Sequence, residues 1–299
     1  SDEDLLNLAD VDTKKISSRM KALKSLRDIR NKNEQNGNYS WTLALWPSED
    51  MAKQAGAPLE KLYDQIRKAC FLNKENPVQE WENLYQYNKK VCEWLKNLDI
   101  EEFHMTSKNV DLKIKVGENR KFISTSGHNI PSFEVYTSPD CRFTEGTFYA
   151  DQPSFRLGNV VKGVRLEFKN GECIKWSAEQ GEKFLESQLK TDKGASFVGE
   201  FSLTDKKTSN INMFMADTLY DENFGGDFGN SHIAIGCAFP DTYTGDQKDI
   251  ATDEQKLEKG FNTSVVHWDL VNSEQKTVVA TCKNGEKITI YKDGGFLIK

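Results

Sequence analysis

The sequence predicts an α+β protein: a helical N-terminal part, then a β-rich α+β part built of mixed sheet and hairpins. Three observations carry this. Apolar residues in the first hundred positions recur at helical spacing, and alternation of period two sets in from about Asn109. Two Asn-Gly pairs, Asn170-Gly171 and Asn284-Gly285, stand between alternating runs. Ile16, Met20, Leu23, Leu26 and Arg30 follow one helical face, preceded by Leu5, Leu6 and Leu8. The run Trp41-Thr-Leu-Ala-Leu-Trp46 reads as a short strand ending at Pro47. Helices are predicted over about 58–72 and 78–98, the second opening just after Pro77. Val110 to Val116 alternates, and the turn Gly117-Glu118-Asn119 leads to a second strand ending near Ser124. Each Asn-Gly pair predicts a hairpin whose two central residues take positive φ. One helix, at about 178–189, interrupts the β-rich part. The expected division is a helical part, 1–105, and a part carrying the chemistry, 106–299.

With 299 residues the chain can bury a substantial core, and 37% hydrophobic with 29% charged residues is a globular composition. A formal net charge of −6 supplies no basic surface, so nucleic acid is not an expected partner. No apolar run is long enough to cross a bilayer, and Ser1-Asp-Glu-Asp4 lacks the features of a signal peptide, so no membrane is expected. The six cysteines show no Cys-x-x-Cys pair or framework spacing. They read as reduced thiols, which makes the cytoplasm the expected compartment.

Only four histidines are present, so the position of each is informative. His267-Trp268-Asp269 follows Val265-Val266; on a strand His267 and Asp269 point to one face, where both can ligate a divalent metal or the acid can orient the imidazole. The pair alone also fits a half-exposed histidine beside a surface acid. His232 stands at the mouth of the apolar run Ile233-Ala-Ile-Gly-Cys-Ala238, between glycines 225, 226, 229 and 236; taken alone, it also fits a satisfied core histidine. Glu200 follows Gly199 and precedes alternating Phe201-Ser-Leu203, and Glu134 lies among apolar neighbours between Pro131 and Pro139. An acid in such surroundings is costly unless paired, protonated or metal-bound.

Taken together these segments resemble the thermophilic aminopeptidase family of dinuclear metallopeptidases. The resemblance rests on Asn129-Ile-Pro-Ser-Phe-Glu134-Val-Tyr-Thr-Ser-Pro139, Gly199-Glu200, Leu219-Tyr-Asp-Glu-Asn223 with His232-Ile-Ala-Ile-Gly236, and Ser264-Val-Val-His267-Trp-Asp269, in the family's order. Thr147-Phe-Tyr-Ala-Asp-Gln-Pro153 and Tyr291-Lys-Asp-Gly294 are similar too. It covers 105–299 well and the helical part more loosely. The resemblance implies Glu134, Glu200, His232, His267 and Asp269 as ligands of two divalent cations, Zn²⁺, Co²⁺ or Mn²⁺, with Glu200 also the candidate for proton handling. Such a pair activates a water, polarises the scissile carbonyl and can hold the free α-amino group of a peptide, so the implied activity removes N-terminal residues. A homodimer is implied as well, its sites facing an internal cavity that favours short peptides.

Two departures stand out. Seven residues after His232 the family usually has a tyrosine for the developing oxyanion; here the residue is Phe239, and Tyr243 lies four further on. Loss of one such donor costs about 10²–10³ in kcat. The chain is also shorter at its N-terminus than the family by on the order of a hundred residues, enough for a small domain. These departures motivate an alternative: a catalytically impaired relative that binds metal but acts as a binding or assembly module. A third reading keeps the metals for a different amide or ester. Glu222, in Asp221-Glu222-Asn223, is either a group orienting His232 or part of a solvated turn. Gly225-Gly-x-x-Gly229 lacks the following Lys-Ser/Thr of a phosphate loop. His128 and His104 read as surface positions, and Cys237 as buried strand material rather than a nucleophile.

Overall fold

The computed structural model of the chain describes residues 4–298. The predicted first helix is two, Thr13–Ala22 and Lys24–Gln35, joined at Leu23, and Asp12 caps the first by accepting from the Lys14 amide. Ile16 is buried and Met20 packs partly on the core, but Leu23 and Leu26 are exposed, because the lysines and arginines between them leave no wide apolar stripe. A short helix, Glu49–Ala55, was not anticipated; Ser48 caps its start and Gly56, at φ 66°, ends it. Helices Leu59–Ala69 and Pro77–Asn97 match the two predicted ones, the second capped by Asn76 with Pro77 in its first turn. The strand expected over 41–46 shrinks to Leu43–Ala44, paired in parallel with Asn129–Ile130. Its aromatic ends serve other contacts: Trp41 stacks on His128 and Trp46 meets Tyr63 edge-on.

From Ile100 onward two large antiparallel sheets form, beside a two-stranded hairpin of 154–156 with 159–161. The larger runs, in spatial order, 172–177, 164–169, 145–150, 111–115, 100–106, 277–282, 287–292 and 295–296. The smaller runs 267–272, 230–236, 198–204, 134–137 and 123–124. The strand ending at Ser124 is real but pairs with 134–137 in the smaller sheet, not with the strand before it, because Gly117 to Lys121 carries the chain across. The Asn170-Gly171 hairpin has both residues at positive φ, 51° and 85°. At Asn284-Gly285 the hairpin forms, yet only Gly285 is left-handed, because a four-residue loop relieves Asn284 of that demand. The later helix spans Glu182–Leu189, starting after Gly181 rather than at 178 because Glu172–Ser177 continues as a strand.

One apolar core lies between the sheets. Phe103, Leu112, Phe148 and Leu166 of the larger face Phe201, Leu203, Ile233, Ile235, Trp268 and Leu270 of the smaller, with Phe103 and Phe201 rings 5.2 Å apart. Ile16 of the first helix belongs to this core, whereas Leu62 and Leu84 of later helices join Phe133, Met215 and Tyr220 in a second cluster. Strands Val198–Thr204 and Asn230–Gly236 are buried at every position, hence on both faces. Their second face is not apolar.

Candidate metal centre

Register puts the predicted acids and imidazoles on that second face. Glu134 pairs with Thr204, Tyr136 with Ser202, Ser202 with His232, and both Glu200 and Asp269 with Ala234, while His267 faces Gly236. Directly paired residues share a face and i, i+2 residues alternate onto it, so one surface holds all five ligand candidates. Strict alternation would not achieve this, since Val198, Glu200 and Ser202 have the same parity and Val198 is in the core. A bulge between Val198 and Glu200 absorbs Gly199 and switches the phase.

Two clusters result. Glu134, Glu200 and His232 bring ligand atoms within 4.8 Å of one another, as do Glu200, His267 and Asp269. Glu200 belongs to both: Oε1 lies 3.4 Å from His232 Nε2 and Oε2 lies 3.5 Å from His267 Nε2. His232 Nε2 is 3.3 Å from Glu134 Oε2, and His267 Nε2 is 3.4 Å from Asp269 Oδ1. These separations are long for charge-assisted hydrogen bonds of about 2.7–2.9 Å. They fit two atoms bound at about 2.1 Å to a common tetrahedral cation, which stand roughly 3.4 Å apart. His267 Nδ1 is held 2.8 Å from the Cys237 carbonyl; donating there leaves Nε2 free to ligate. Ser202 Oγ donates to Glu134 Oε2 at 2.9 Å. His232 Nδ1 is buried with no hydrogen-bond partner among the described residues, so this imidazole is engaged through Nε2 alone.

Electrostatics tell the same story. Burial, opposed by the His232 hydrogen bond and reinforced by the Glu134 charge, pushes Glu200 up to about 7. Burial works against charge on His267, but Asp269 and Glu200 outweigh it and raise the imidazole to about 9. Asp269 resists burial through His267 and is lowered to about 2, with His232 and Arg156 helping. Glu222 is buried too; burial, then Asp269 and Glu134, drive it well above the ordinary range. Four carboxyl groups crowd two imidazoles in this buried cluster, and divalent cations would displace the protons the cluster holds and balance the carboxylates left ionised.

Glu222 therefore stands beside the centre, with Asn129 Nδ2 at 3.5 Å from its Oε1, though it makes no hydrogen bond to His232. Phe239 lies against it, ring centroid 4.6 Å from that of His267. Tyr243 is elsewhere: it packs edge-on against Phe261 and its hydroxyl meets Asp249 at 3.2 Å, in a separate cluster with Ala238 and Ile250. Its four-residue offset from Phe239 passes through the turn Pro240–Thr242, which aims it away. His128 pairs with Glu34 and His104 with Asp111, outside the centre. Ser202 and Tyr136 were missed by reading the sequence; each lies two residues after a ligand candidate on a strand, and that spacing was the available signal. Arg156, which faces the Trp268 ring at 5.4 Å, sent no such signal.

A family model described as thermophilic metalloprotease (M29) matches residues 1–296, nearly the whole chain. Aminopeptidase AmpS of Bacillus subtilis (strain 168) is 27% identical over 99% of this chain and 74% of its own length. Aminopeptidase T of Thermus aquaticus is 27% identical over 87% of this chain and 66% of its own. A solved structure, wild-type AmpT from Thermus thermophilus, aligns with a TM-score of 0.69 at 26% identity over 80% of this chain, so the likeness extends to the fold. This chain spans 59% of that solved chain.

Proposed function

The chain belongs to the thermophilic metalloprotease family (M29), and from that membership we propose that it is a metal-dependent aminopeptidase acting on peptides with a free N-terminus. The observation that carries the proposal is the position of Glu200 between two imidazole–carboxylate clusters, one carboxylate oxygen turned to each. Glu134 and His232 would hold one divalent cation, His267 and Asp269 the other, and Glu200 would bridge them. Bound there, Zn²⁺, Co²⁺ or Mn²⁺ would supply Lewis acidity towards a water and the scissile carbonyl.

The chain's own residues do the rest. Ser202 fixes the Glu134 oxygen that faces His232, and the Cys237 carbonyl fixes the ring of His267. Glu222 borders the centre, its carboxyl pushed well above the ordinary range by burial and by Asp269 and Glu134. Phe239 covers one side of His267 and limits water there. Glu200 is the carboxyl able to exchange a proton near neutrality. The division near residue 105, the homodimer and a cytoplasmic setting belong to the same reading; the six free thiols fit a reducing compartment. No helix among the described residues is long and apolar enough to cross a membrane.

Hydrolysis of a chromogenic leucyl amide tests the proposal. Turnover is expected to vanish with chelator and return with cobalt, zinc or manganese. A chain that binds metal and hydrolyses no amide would instead be the impaired relative, and an N-acylated substrate cleaved equally well would remove the amino-group requirement.

A further inference from the structure

Attack on an amide carbonyl places negative charge on its oxygen, and a site dominated by carboxylates needs a donor for it. On the ligand-bearing face, donors are few. The Ser202 hydroxyl is committed to Glu134, Phe239 has none, and the Tyr243 hydroxyl is turned to Asp249. Arg156 is drawn to the Trp268 ring and to Gln188 Oε1 at 3.3 Å. Tyr136 is different. It follows Glu134 by two residues on the same strand, pairs with Ser202, and so projects from the same face. Its ring meets Phe239 edge-on at 5.8 Å, and Phe239 in turn lies on His267, which sets the phenol at the rim of the centre. Its hydroxyl donates to Asp241 Oδ2 at 3.3 Å, long for a bond from a hydroxyl to a carboxylate, where about 2.5–2.7 Å is usual. Asp241 is exposed. A donor held by so long a bond can turn to a better acceptor.

We propose that the Tyr136 hydroxyl is the uncharged donor to the carbonyl oxygen that gains charge during amide hydrolysis, a role that rests on the aminopeptidase reading. Tyr136 is then a catalytic residue to which the sequence reading gave no role, and Phe239 is its packing partner rather than a gap in the machinery.

The test is Tyr136→Phe, assayed fully loaded with metal on the leucyl amide. We expect kcat to fall about 10²–10³-fold with KM little changed, while metal content per chain and melting temperature stay at wild-type values. A kcat within about threefold of wild type overturns the proposal. Should Tyr136→Phe lose metal or fold poorly, Asp241→Ala decides: freeing the hydroxyl should leave kcat equal or higher, and a fall of about tenfold or more would overturn the role. Turnover by the wild type alongside an unaffected Tyr136→Phe sinks only the donor assignment, whereas a loaded wild type without turnover sinks the aminopeptidase reading with it.

Discussion

Each imidazole of the centre is pulled two ways. Burial disfavours the charged form, facing carboxylates favour it, and the carboxylates win, setting His232 well above the ordinary histidine range and His267 at about 9. Without a cation these rings therefore hold protons at neutral pH, and Glu200, at about 7, holds one part of the time. Ligation requires neutral imidazole and ionised carboxylate, so a cation must expel those protons. Affinity should therefore tighten as pH rises from about 6 to 9, and filling both clusters at pH 7 should release about two protons or more per chain. Calorimetry in two buffers of different ionisation enthalpy measures the release; a pH-independent affinity with no release would contradict the ligand set. The residue types were readable in advance, because acids among apolar neighbours demand a partner. The values were not, since each depends on atoms from four different strands.

The Val198–Thr204 strand owes the placement of Glu200 to one irregularity. The bulge at Gly199 lets Val198 face the core while Glu200 faces the cluster, and a Cβ at Gly199 would lie 2.4 Å from the carbonyl oxygens of both Cys237 and Gly236. Neither backbone atom can yield cheaply. Gly199→Ala is expected to cost about 1–3 kcal/mol of stability and to displace Glu200. Because that carboxylate serves both clusters, bound metal should fall at both rather than one. Denaturant unfolding and metal analysis of the purified variant check this, and wild-type stability with full loading would show that the bulge does not aim the ligand. Most elements were predictable because their signals are local. Pro77 with Asn76, the Asn170-Gly171 turn and the alternation of 110–116 each act within a few residues. Where prediction slipped, a distant partner decided: Trp41 chose His128 over a strand, and Ile123–Ser124 chose the smaller sheet.

Across the whole molecule the helical part and the sheets are tied together. Ile16 lies in the core between the sheets, Ser17 meets the Thr191 hydroxyl, and Arg27 Nη1 donates to the Val265 carbonyl two residues before His267. The buried acids oppose this compact state until cations neutralise them. A ligand bound to the folded state alone at about 100 times its dissociation constant adds roughly 2.7 kcal/mol. Chelation should then lower the melting temperature by on the order of 5 °C for a chain of this size. Scanning calorimetry with and without chelator measures the shift; equal melting temperatures would mean that the centre holds no cation in the native protein.

Residue chemistry and short-range order were determined by the sequence itself: which acids and imidazoles could ligate, where helices begin, and that one segment alternates on a strand. These follow from propensity, capping and side-chain period, which operate between near neighbours. The tertiary structure alone decided that Glu200 lies between both clusters, that Tyr243 is turned away and that Tyr136 shares the ligand-bearing face. Those outcomes depend on strand register and one bulge, and register is set by pairing between segments at least thirty residues apart in the chain.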